Sequence, residues 1–159
     1  MKQLWCQSVA LAVIGSWSVT AASAGPSQDL RAEFRARPPQ DEIIYFLLPD
    51  RFENGDPAND RGGLSGDRLH TGFDPAAKGY YHGGDLKGVI SRLDYLQSLG
   101  ATAIWLGPVY KNKPVQGEPG AESAGYHGYW ITDFSSVDPH FGTAADMLAL
   151  VTAAHARGM

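Results

Sequence analysis

The 159-residue chain has a single cysteine, Cys6. With no second thiol, a disulfide framework and a multi-cysteine zinc site are both excluded. No run of like charge occurs, and 13 basic against 17 acidic residues give a formal net charge of −4. Neither nucleic acid nor an anionic membrane is indicated as a partner. The turn after the first strongly apolar segment reads Pro49-Asp50-Arg51-Phe52, not the G-x-G-x-x-G that grips a dinucleotide. No apolar stretch approaches the roughly 20 residues needed to cross a bilayer. Hydrophobic residues make up 43% of the chain and aromatics 11%, with four Trp and seven Tyr. This suits a globular protein, and the aromatic share leans toward sugar binding.

Residues 1–24 differ in kind from the rest. Lys2 gives a positive start, Val9 to Ile14 an apolar stretch, and Ala22-Ser23-Ala24 a small-x-small end. That is the pattern of a secretory signal cleaved after Ala24, which predicts a secreted or periplasmic protein. Cleavage removes Cys6, so the mature domain needs a large core or a structural metal ion in place of disulfides. Residues 25–40, with Pro26, Pro38 and Pro39, form an N-terminal arm with a short helix around Leu30 to Arg37, stopped by the proline pair.

From Asp41 onward the pattern alternates. Glu42 to Leu48 is a near-continuous apolar run, as expected of a strand buried on both faces. Residues 49–84 are rich in glycine and lack periodicity, which predicts one long loop. Asp85 to Leu99 reads as a single helix, with Leu86, Val89, Ile90, Leu93, Leu96 and Leu99 on one face. Asp85 is its N-cap and Gly100 its stop. Ala101 to Leu106 is a second buried strand, and 107–143 a second long loop. Ala144 to Ala156 is a helix facing inward through Ala144, Met147, Leu148, Val151 and Ala154. Alternating strands and helices imply parallel strands. Long loops after the strands, with a short return, predict an α/β fold: the N-terminal portion, about two βα units, of a (β/α)8 TIM barrel. A doubly wound sheet is the alternative.

Two clusters bear chemistry. Asn54, Asp56, Asn59 and Asp60 place four oxygen-bearing side chains within seven residues. Calcium takes six to eight oxygen ligands; an ordinary polar turn accounts for the same residues. In Tyr126-His127-Gly128-Tyr129-Trp130, four ring side chains fall in five positions. Such rings match the C–H face of a pyranose and offer polar tips to its hydroxyls; they also suit packing at the top of a barrel. Trp130 is expected to pack and Tyr129 to make exposed contact. Asp133 and Asp138 are acids with no evident partner, and Asp133 reads as structural.

Taken in order, several segments resemble the alpha-amylase family of glycoside hydrolases over roughly Asp41 to Met159. They are Ile44-Tyr45-Phe46 through Asp50-Arg51-Phe52, the Asn54–Asp60 loop, and His82-Gly83-Gly84-Asp85-Leu86-Lys87-Gly88. Leu99 through Leu106 follows, then Tyr126 through Trp130, Asp138-Pro139 and Phe141-Gly142-Thr143. The chain is most similar to bacterial alpha-amylases and cyclodextrin glycosyltransferases. The resemblance implies a calcium ion held by Asn54, Asp56, Asn59, Asp60, the carbonyl of Gly83 and Asp85. Asn54 stands where relatives often carry Asp, which implies weaker affinity. It further implies that Tyr129 stacks on the sugar beside the scissile bond, flanked by Trp130 and His127, and that the substrate is an α-1,4-glucan cleaved with retention. The Asp nucleophile, Glu acid/base and stabilising Asp of the family follow its fourth, fifth and seventh strands. The resemblance places none of them in these residues, so the 159-residue chain is expected to be inactive and to fold weakly alone. A cyclodextrin-forming transglycosylase and a non-catalytic, calcium-dependent carbohydrate-binding protein are the competing readings.

Overall fold

The computed structural model describes residues 36–159. The proposed signal and Cys6 lie outside the described residues, as does most of the N-terminal arm. Strand β1 (Ile44–Leu47) pairs in parallel with β2 (Ala103–Leu106), Ile44 opposite Ala103 and Leu47 opposite Leu106. The connection between them runs through α1 (Arg68–Thr71), α2 (Leu86–Ser91) and α3 (Leu93–Ser98). After β2 come β3 (Tyr110–Asn112), β4 (Val115–Gln116), β5 (Ser123–Ala124), β6 (Ile131–Val137) and α4 (Ala144–His155). The two parallel strands and their helical crossover are consistent with part of a barrel.

Burial corrects one expectation about the strands. Tyr45 and Leu47 of β1, with Ile104 and Leu106 of β2, face the helices and the core. Ile44, Phe46 and Trp105 point the other way and stay open; Phe46 is 53% and Trp105 62% exposed. Among the described residues, helices cover one face of the sheet and nothing covers the other. Phe46 and Trp105 meet edge to face there, with ring centroids 5.8 Å apart.

The expected helix over 85–99 is two helices. Arg92 sits between them at φ −109°, ψ 9°, and its N–H turns back to the Val89 carbonyl in a tightened turn. The Arg92 side chain is meanwhile drawn to Glu53 in the first loop, at 2.6 Å. The apolar stripe survives the break, with Leu86, Val89, Leu93 and Leu96 fully buried. Leu99 does not join it: the chain has already turned toward Gly100, at φ +82°, and Leu99 is 52% exposed. In α4, likewise, Leu150 is buried while Leu148 is exposed. Residues 147, 150 and 154 share the inward face at helical spacing, and Leu148 falls to one side of it. Thr143 caps α4 through a reciprocal capping box with Asp146, the arrangement that satisfies two orphan N–H groups at once.

Neither long connection is irregular throughout. In the first, Asp67 caps α1, Gly72 closes it at φ +75°, and Phe73 bridges Tyr81. In the second, β3 pairs antiparallel with β6, and β4 with β5. A buried polar node joins the two connections. The Asp138 carboxylate accepts from the Asn112 N–H and contacts the His140 ring at 2.8 Å. The other ring nitrogen of His140 reaches the Thr71 carbonyl at 2.8 Å.

Candidate functional site

The first loop closes on the start of α2. Asp85, fully buried, caps the helix by accepting from the Gly88 N–H at 2.7 Å. The same carboxylate accepts from the Gly55 N–H, the Asp56 N–H (2.8 Å) and the Asn59 side-chain amide. Three N–H donors of the loop are therefore pinned to the cap of the helix. The approach is close: a Cβ on Gly55 would overlap the backbone at Lys87–Gly88, and one on Gly88 would overlap the Glu53 carbonyl.

Beside this knot, the Asn54 amide donates to Asp60 at 2.8 Å. Gly83, at φ +93°, lies against both; a Cβ there would sit 2.6 Å from each side chain. The structure thus places the six sequence-predicted positions in two adjoining groups, Asn54, Asp60 and Gly83, and Asp56, Asn59 and Asp85, with Asp56 joined to Asp85 through its N–H and not its carboxylate. Among the described residues no three His, Cys, Asp or Glu side chains form a ready-made metal cluster. Asp56 is turned toward Lys87, whose ammonium sits 2.6 Å from its Oδ2. That contact, with a bond from the Ala58 N–H, holds the Asp56 carboxyl below the ordinary range. Asp60 is shifted the other way, raised by burial and then by the charges of Asp85 and Asp56. The side-chain carbonyl of Asn59 is buried without a partner. An unpaired buried acceptor beside crowded carboxylates is what an added cation relieves, and the donor set is all oxygen, as calcium requires.

The aromatic turn lies on the second connection. The Gly128 N–H returns to the Gly125 carbonyl at 2.9 Å, and Gly128 takes φ +82°. A side chain there would overlap the Pro108 carbonyl, so the bend demands glycine on two counts. The Tyr129 N–H donates to Nδ1 of His127 at 3.0 Å. An acceptor at Nδ1 leaves the proton of the neutral ring on Nε2. Burial lowers the pKa of His127 from its ordinary 6.5, which favours that neutral ring. Trp130 meets His127 edge-on at 4.7 Å, and Tyr129 lies nearly parallel to it at 5.8 Å. Tyr129 is 62% exposed and Trp130 half-buried.

Two buried acids, Asp50 and Asp138, have duties the sequence did not disclose. Asp50 accepts from the N–H groups of His82 and Gly83 and pairs with Arg51. Asp138 accepts from the N–H groups of Asn112 and His140 and contacts the His140 ring. Asp133, at the surface, accepts from the Ser135 N–H and both serine hydroxyls of 135 and 136, which pull its pKa down to about 2. Arg51, which follows Asp50 in the segment that resembles the family, stands with its guanidinium carbon 4.0 Å from the centre of the Tyr126 ring. A charged dipeptide directly after the strand-ending Pro49 was the one signal available for it.

A model of the alpha-amylase catalytic domain matches residues 46–159. The chain belongs to the alpha-amylase catalytic-domain family. It is 60% identical over 96 residues to an alpha-amylase of Streptomyces lividans, covering 60% of this chain and 10% of that protein. To a cyclomaltodextrin glucanotransferase of Klebsiella oxytoca it is 44% identical over 114 residues, or 72% of this chain and 16% of the relative. Among solved structures, an Anoxybacillus alpha-amylase superimposes with a TM-score of 0.63 at 46% identity, covering 77% of this chain and 23% of that one. The chain therefore spans less than a quarter of these relatives' length.

Proposed function

We propose that these residues form the first part of the catalytic barrel of a secreted, starch-acting glycoside hydrolase, supplying a sugar platform and a structural calcium junction. The observation that carries the reading is the aromatic turn. Tyr129 is open to solvent on a bend that only glycine can make, and His127 is locked to present an N–H donor. An exposed ring beside a fixed donor suits one glucose unit of an α-1,4-glucan, stacked on Tyr129 and bonded from His127. Trp130 supports His127 from the side.

Asn54, Asp56, Asn59, Asp60, the Gly83 carbonyl and Asp85 would hold calcium. The ion supplies positive charge that offsets the crowded carboxylates and ties the first loop to α2. Asp85 and the backbone of residues 55–59 already position the loop. The uncovered face of Phe46 and Trp105 is the side on which further strands would close the barrel.

Bond cleavage with retention needs two carboxyl groups about 5–5.5 Å apart, one a nucleophile and one an acid/base. Asp50, Asp85 and Asp138, the buried acids described here, are each occupied by N–H donors, which suits structural roles. The pair is assigned to chain outside these residues. The 159-residue chain alone is then inactive, whereas the full-length protein hydrolyses maltooligosaccharides and loses that activity in Tyr129→Ala. Turnover of a chromogenic maltooligosaccharide by the isolated chain, or an undiminished Tyr129→Ala enzyme, overturns the proposal. A cyclodextrin-forming reaction is the second reading, favoured by the similarity to a cyclomaltodextrin glucanotransferase; the ratio of cyclic to linear products separates the two.

A further inference from the structure

Arg51 leaves β1 next to the buried Asp50 and runs beneath the aromatic turn. Its Nη1 lies 2.7 Å from Asp50 Oδ2. Its Nη2 donates to the Lys78 carbonyl at 2.7 Å. Its guanidinium carbon lies 4.0 Å from the Tyr126 ring centre. Asp50 is itself fixed by the N–H groups of His82 and Gly83. The far side of the arrangement is the turn: Tyr126 meets the ring of His127 at 5.3 Å, and His127 accepts from the Tyr129 N–H.

We propose that Arg51 is a positioning residue for glucan binding: braced by Asp50, its planar guanidinium carries Tyr126 and so sets where His127 and Tyr129 meet the sugar. The inference rests on the reading of His127 and Tyr129 as the sugar platform. Arg51 does not touch the sugar. Its charge is turned to Asp50, one arm is spent on the Lys78 carbonyl, and its guanidinium carbon stands over the Tyr126 ring. A planar cation on an aromatic face is favourable where solvent is partly excluded, and the geometry demands arginine. A lysine ammonium keeps the charge opposite Asp50 but has no flat surface to bear the ring.

This sets Arg51→Lys against Arg51→Gln in the full-length protein, with Tyr126→Leu and Tyr129→Ala alongside. Maltoheptaose affinity is read by tryptophan fluorescence, and folding by thermal melting. Arg51→Lys is expected to melt close to wild type yet bind maltoheptaose about five- to tenfold more weakly, the scale of one lost cation–aromatic contact. Arg51→Gln is expected to lose both stability and binding. Tyr126→Leu should match the binding loss of Arg51→Lys, and the double variant should bind no more weakly than either single one. A role confined to neutralising Asp50 is rescued by lysine, so Arg51→Lys binding within twofold of wild type overturns the proposal, as does full affinity in Tyr126→Leu. If Tyr129→Ala weakens binding in that same experiment, the sugar platform stands and only the role of Arg51 falls. If Tyr129→Ala binds normally, the platform reading falls and takes this inference with it.

Discussion

Tyr81 and His140 stack ring on ring, their centroids 4.0 Å apart and their planes 2° from parallel. Both are buried, and each comes from a different connection. The stack, together with the contacts of His140 to Asp138 and Thr71, clamps the glycine-rich first connection to the end of the second. Removing one member leaves a cavity and unpaired buried acceptors at once. His140→Ala is expected to destabilise the full-length protein by about 3 kcal/mol, in the range for a buried polar network broken at one point. Chemical denaturation of the two proteins measures it, and a loss within experimental error would show that the clamp is dispensable.

The bend at Gly128 gives a sharper test of the platform. Gly128→Ala forces a side chain into left-handed backbone, at a strain of order 1–3 kcal/mol, and against the Pro108 carbonyl. Maltoheptaose affinity should fall at least tenfold, and the His127 ring resonances should shift because its bond from Tyr129 is displaced. Gly63, also at positive φ but with nothing within 4 Å of its would-be Cβ, provides the control: Gly63→Ala should leave affinity unaltered.

The calcium junction predicts a response to chelation. With free calcium a hundredfold above its dissociation constant, binding stabilises the folded state by about 2.7 kcal/mol, so chelation should lower the melting temperature. Asp60→Ala should abolish that response, because Asp60 sits against Asn54 and Gly83 with its carboxyl partly buried beside the charges of Asp85 and Asp56. If the variant melts with and without chelator as the native protein does, calcium does not reside there.

His127 makes the platform sensitive to acid. Its pKa in the folded protein lies below the ordinary 6.5, so the unfolded chain takes up the proton first. The turn is therefore at full stability above pH 6.5 and loses it as the pH falls from there. Protonation also removes the acceptor at Nδ1 and releases the Tyr129 N–H. Maltoheptaose binding should weaken over the same interval, and His127→Gln should flatten that part of the profile.

Asp133 acts at lower pH. Its folded pKa of about 2 lies beneath the ordinary 3.8, so its contribution is complete above about pH 4 and fades as the pH drops toward 2. In Ser136→Ala one donor hydroxyl is gone, and the Asp133 pKa, read by NMR titration, should rise. An unchanged value would mean that the serine hydroxyls do not set it.

Much of this was written in local pattern. The stripe Leu86, Val89, Leu93, Leu96 and the cap at Asp85 announced the crossover helix, because helical burial repeats over neighbours in the chain. The interruption at Arg92 left no trace, since the apolar stripe runs through it unbroken in spacing and nothing local in Ser91-Arg92-Leu93 marks a stop. Strands of two or three residues, such as β4 and β5, are too short for alternation to register. The aromatic turn was legible because its rings are consecutive. Arg51 was not, because its partner Tyr126 belongs to another connection, and contacts of that kind are settled by tertiary packing. Burial on both faces of β1 and β2 was inferred from composition, and composition alone does not say which layer arrives to cover a strand.

The naked side of the β1–β2 sheet has a consequence for synthesis. Phe46 and Trp105 lie open on it, and each of the two strands presents one margin without a neighbouring strand among the described residues. Such a surface invites self-association. Expressing these 159 residues by themselves should therefore leave most of the product in the insoluble fraction, and a soluble monomer would show that the face is tolerated.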